Sequence, residues 1–160
     1  MKSNLRFAVL PAIIIGLVMV SVTVPAEAVI TINQPWLRPA QAAQVTEVYM
    51  DVTSSDGALI LGARTDAAAA VTLLAPGTKA LPAGNLSLPP QTMVALAPGH
   101  YRFGLSRLQR ALKRGDRVLL VLAVELADGS RQEIPVDVEV RMHSPLDDEM
   151  RAHGHAHPSH

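Results

Sequence analysis

Five of the six histidines in this 160-residue chain stand in its last eighteen residues: His143, His153, His155, His157 and His160. In the run His153-Gly154-His155-Ala156-His157 an imidazole recurs at every second position. An extended chain puts such side chains on one side, and Gly154 leaves the backbone free to fold around an ion. Three or four neutral imidazoles suit Cu(II), Ni(II) or Zn(II). Met142 and Met150 lie among them, and thioethers are soft ligands that favour Cu(I). Asp147, Asp148 and Glu149 add oxygen ligands for an oxidised ion. A His-rich tract of this kind points to metal binding. The competing reading is a polar chain end without fixed structure.

Other chemistry has thinner support. Ser106, His100 and Asp116 can be put together on paper as an acyl-transfer set, but no serine has the glycine-flanked pattern of a nucleophile elbow. No glycine-rich phosphate loop follows a strand and opens a helix. The absence of cysteine excludes disulfides, thiolate metal sites, a thiol nucleophile and lipid attachment at a cysteine. Removal of residues 1–28 takes away Lys2, Arg6 and Glu27, which leaves 12 basic and 13 acidic residues. Nothing in that balance resembles the basic stripe of a nucleic-acid binder. Aromatic residues make up only 3% of the chain, so Val, Leu, Ile and Ala must fill the core.

The elements that would carry these residues begin with an address. Lys2 and Arg6 precede a nearly unbroken apolar run from 7 to 24, and Pro25-Ala26-Glu27-Ala28 offers small residues before a cut after Ala28. This is the pattern of a cleavable signal peptide, residues 1–28, which sends the protein to the periplasm; an uncleaved membrane anchor is the alternative. The mature chain then alternates as strands do over 29–34, 45–53, 58–65, 71–75, 86–88, 92–96, 100–105, 117–125 and 131–141. Pro35-Trp36-Leu37-Arg38-Pro39 reads as a break after the first strand, residues 106–113 as one helical turn, and Asp128-Gly129 as a hairpin turn. Regularly spaced short strands predict an all-β sandwich over residues 29–141. Residues 142–160 lack apolar periodicity and form a separate His/Met-rich, flexible and disordered tail.

Several blocks, in order, carry a resemblance. Val29-Ile30-Thr31-Ile32 with Pro35-Trp36-Leu37-Arg38, then Tyr49-Met50-Asp51-Val52, Leu61-Gly62-Ala63, Leu96-Ala97-Pro98-Gly99, Gly115-Asp116 and Asp128-Gly129 resemble the PCu(A)C-type periplasmic copper chaperones. The resemblance spans residues 29–141. It implies a cupredoxin-like β-sandwich of Greek-key type, a non-enzymatic role, copper as cargo, and a copper-accepting partner such as an oxidase assembly factor. Members of that family usually hold Cu(I) with two His and two Met. Those positions fall on Leu74, Arg102, Gly104 and near Lys79 here, so none of the ligands carries over. A displaced site from His100 and Met93, with Met50 nearby, has too few convergent ligands; Met93 reads better as core or strand surface and His100 as a solvated turn residue. The expected metal ligands are therefore His143, His153, His155, His157, His160, Met142 and Met150, in a copper carrier that uses its tail. The alternative is a scaffold repurposed for protein contact.

Overall fold

A computed structural model describes residues 28–77, 80–81, 84–147 and 150. Nine strands fill the described chain: β1 (Ile30–Leu37), β2 (Thr46–Ser54), β3 (Ala58–Arg64), β4 (Ala68–Leu74), β5 (Leu86–Leu88), β6 (Met93–Leu96), β7 (Arg102–Leu108), β8 (Arg117–Leu126) and β9 (Arg131–Val140). They hydrogen-bond in the order β4-β7-β2-β1-β9-β8-β3-β5, and β6 pairs with β2. β6 and β7 share one edge of β2: Met50 opposes Leu96, and Val48 opposes Phe103. The corner 97–101 divides what would otherwise be one long strand. The strands wrap around a core that includes Leu37, Val48, Val52, Ile60, Phe103, Leu105, Leu120, Leu122 and Val138, all fully buried. The all-β class expected from the alternation is the class observed.

Local chemistry explains most strands. On β8 and β9 every second residue is buried, from Val118 to Leu126 and from Val136 to Val140. The hairpin between them turns at Asp128-Gly129, where Gly129 has φ +82°, a backbone conformation that costs glycine little. Two local expectations differ. β1 does not break at Pro35; it continues to Leu37 across an irregularity between Asn33 and Trp36, with Gln34 at φ 48°. A proline can stand in a strand where a bulge removes the need for its N–H. Residues 106–108 are not a helical turn but the end of β7, because Ser106 and Leu108 pair with Ala70 and Ala68 of β4. Pairing with a distant strand overrides the weak local preference.

Candidate functional site

The β4–β7 ladder brings together the positions that the resemblance singled out. Leu74 opposes Arg102, and Thr72 opposes Gly104. A Cβ placed on Gly104 would lie 3.0 Å from Leu74 Cδ1, so the leucine occupies the space that a side chain at 104 would need. Lys79 lies outside the described residues.

Arg102 is only 4% exposed. Its guanidinium points at oxygens on every side: Nε donates to Glu47 Oε1 at 2.8 Å, Nη1 to the carbonyls of His100 and Ala75 at 2.9 and 3.1 Å, and Nη2 to the carbonyl of Gly77. A buried charge is tolerable only when paired and hydrogen-bonded in this way. Glu47 Oε2 also accepts from the Tyr49 hydroxyl at 2.7 Å. Burial alone would push the Glu47 carboxyl up, but the hydrogen bonds from Arg102 and Tyr49, with the charges of Arg102 and Arg38, outweigh it and hold the group below the usual 4.5. Burial, together with the neighbouring carboxylate, raises the Tyr49 hydroxyl to about 12. Leu74, Arg102 and Gly104 offer copper no thioether or imidazole, and a fixed cation stands among them. This place does not fit a copper ion.

The network continues outward along β1. Trp36 and Tyr49 pack with ring centres 4.7 Å apart, and the Arg38 guanidinium lies 6.0 Å from the Trp36 ring centre. Beside this pair is a cleft of about 230 Å³ whose far wall is the chain after β9. Met142 and His143 line it, as do Leu146 and Asp147, opposite Trp36, Arg38 and Pro98. His143 and Met142 are thus held together beside the domain's single tryptophan. Met150 is exposed. His153, His155, His157 and His160 lie outside the described residues. Among the described residues, no three His, Asp or Glu side chains converge as a metal site. Met50 belongs to the core; His100 is exposed as its turn reading expected, and Met93 lies on the strand surface rather than in the core.

Sequence reasoning read Arg102 only as a position without a copper ligand and missed its partners. The available signals were one arginine in the apolar strand 101–105 and one glutamate in the alternating strand 45–53.

Comparison with known proteins agrees with this fold. The LpqE-like lipoprotein family matches residues 30–140. The apo PCuAC domain from PmoF1 superposes with a TM-score of 0.60 at 19% identity, over 70% of this chain and 92% of that one. The copper-bound PCuAC domain from PmoF2 gives 0.55 at 22% identity, over 70% and 93%. The Cu(I) form of DR1885 from Deinococcus radiodurans gives 0.56 at 23%, over 72% and 81%. No curated protein sequence matches the chain.

Proposed function

The chain belongs to the LpqE-like lipoprotein family, and from that premise we propose that it is a non-enzymatic copper-handling protein of the periplasm that carries its cargo on the C-terminal segment. In this reading residues 1–28 are the export signal and residues 29–141 the scaffold. The copper ligands are His143, His153, His155, His157 and His160, with Met142 and Met150 supplying thioethers when the ion is Cu(I). The cargo passes to a copper-accepting protein outside the cytoplasm.

The observation that carries this reading is Arg102. Solved domains of this fold include copper-bound ones, yet here a guanidinium is bonded to four oxygens at the β4–β7 position. With that position closed, the reading turns to the His and Met side chains that cluster after β9. A second reading keeps the scaffold for protein contact and drops the metal, and the oxygens gathered around Arg102 at the β4–β7 position favour it, since they leave no copper site there.

Isothermal titration of Cu(II), and of Cu(I) against a competing chelator, tests the first reading. The titrated proteins are residues 29–160 and the same chain with His153, His155, His157 and His160 changed to alanine. Binding is expected in the unaltered chain and is expected to be lost in the variant. It should also weaken below pH ~6, as protons compete for the imidazoles. Equal binding by both chains, or none by either, would falsify the tail as the carrier.

A further inference from the structure

The near-zero formal charge conceals an uneven distribution. Backbone hydrogen bonds stitch three stretches together at one end of the domain: Ala40 and Leu112 exchange bonds of 3.1 and 2.8 Å, Gly115 N–H donates to Val140 O at 2.9 Å, and Arg141 N–H donates to Leu37 O at 2.8 Å. This end presents Arg110, Arg117 and Arg141, which are paired with Asp116, Asp137 and Glu139. It also presents Arg38, Arg107, Lys113 and Arg114, all exposed, which form no ion pair among the described residues. Among the described residues, Asp51, Asp66 and Asp147 are carboxylates on or beside this end that likewise form no ion pair. The opposite end turns at Asp56 and Asp128, and Arg131 there is paired with Glu125.

Apolar side chains stand among these cations. Val45 is 65% exposed, Leu119 58%, Met142 55% and Leu146 49%. Val45 precedes Thr46, which opposes Leu105, and Gln44 O accepts from Leu108 N–H, so Val45 lies across from Ser106 and Arg107. Two non-glycine residues with left-handed backbones, Ala43 (φ 63°) and Arg107 (φ 53°), shape this corner. Strain of that sort persists where the surroundings hold it and is concentrated at functional sites. Met142 shares one surface hollow with Arg114 and another with Arg38 and Leu146, so these cations and apolar groups adjoin.

We propose that this end docks reversibly on an anionic lipid surface. Single apolar side chains spaced between cations suit insertion among headgroups, where each group finds its partner without a shaped counterpart. A protein interface would instead need a packed apolar centre. The matched family is described as lipoprotein, while these 160 residues contain no cysteine to carry a lipid. Electrostatic docking supplies a membrane contact that does not depend on that attachment. Its cations are not among the proposed copper ligands, although Met142 is common to both readings, which is why the test excludes metal.

Flotation of residues 29–160 with vesicles, under chelator to exclude metal, tests the proposal. Binding is expected to phosphatidylcholine vesicles containing phosphatidylglycerol at low salt. It should fall about tenfold or more on pure phosphatidylcholine, in high salt, or in the Lys113→Glu/Arg114→Glu variant. Val45→Asp should weaken it, and Glu125→Gln at the far end should leave it unchanged. Circular dichroism and Trp36 fluorescence verify that each variant is folded. Equal binding to both vesicle types, full binding by folded K113E/R114E, or capture by soluble polyglutamate with no flotation overturns the proposal.

Discussion

Arg102 is held by oxygens from three separate stretches of chain, at Glu47, at Ala75 and Gly77, and at His100. The histidines of the C-terminal segment follow one another within eighteen residues of a single stretch. The first arrangement exists only when the domain is folded, and its cation is covalently part of the chain. The imidazoles of the second are close in sequence in any conformation of the chain, folded or not. An internal cation belongs to one fold, whereas in the proposed reading imidazoles clustered in sequence load and release an ion without altering that fold.

The largest effect should come from breaking the first arrangement. Arg102→Met leaves Glu47 partly buried without its cation and is expected to destabilise the domain by about 3–5 kcal/mol, measured by urea unfolding. Arg64→Ala removes an exposed ion pair with Glu133 and should leave the unfolding midpoint nearly unmoved. In the same assay, saturating copper should not shift the midpoint of the unaltered chain. A ligand stabilises only by binding the folded state better than the unfolded state, and tail histidines serve both alike. A marked copper-dependent rise would place the metal in the folded domain and erase the contrast.

A smaller effect tests how tightly the β4–β7 position is closed. Gly104→Ala brings a methyl against Leu74 Cδ1, at a cost of about 1–3 kcal/mol. Adding Leu74→Ala should recover part of that cost, and a double-mutant cycle measures the coupling. Additive losses would mean that the leucine does not close the space.

The smallest effect is a pH dependence. The folded-state pKa of Glu47 is lowered, so its contribution is complete above the unfolded value near 4.5 and is lost as pH falls through the lower folded value. Tyr49 is raised from 10.0 to about 12, so its contribution is complete below 10 and disappears as pH rises toward 12. Glu47→Gln should flatten the acid limb of the stability curve, and Tyr49→Phe the alkaline limb. Limbs unchanged by these substitutions would show that other groups set them.

Much of the fold was legible because its signals are local. The alternation of Val136, Val138 and Val140 and the Asp128-Gly129 turn each fit within a few residues, and both are present in β8–β9. The break expected at Pro35 failed because the bulge between Asn33 and Trp36 is set by pairing with β2. The helical turn expected at 106–113 failed because β4 pairs with β7. The charge balance gave no hint of a basic end. Residues 38–45, 107–117 and 140–143 meet there only through contacts remote in sequence.

The sequence by itself determined the β pattern, the position of the histidines and the absence of imidazole and thioether at Leu74, Arg102 and Gly104, the positions the resemblance singles out, since residue type and spacing need no partner to be read. Only the tertiary structure decided that Arg102 is an internal cation rather than a surface charge. Its carboxylate partner stands 55 positions away and its carbonyl partners as many as 27. The energy of a buried guanidinium depends on which oxygens surround it, and the chain must fold before that is settled.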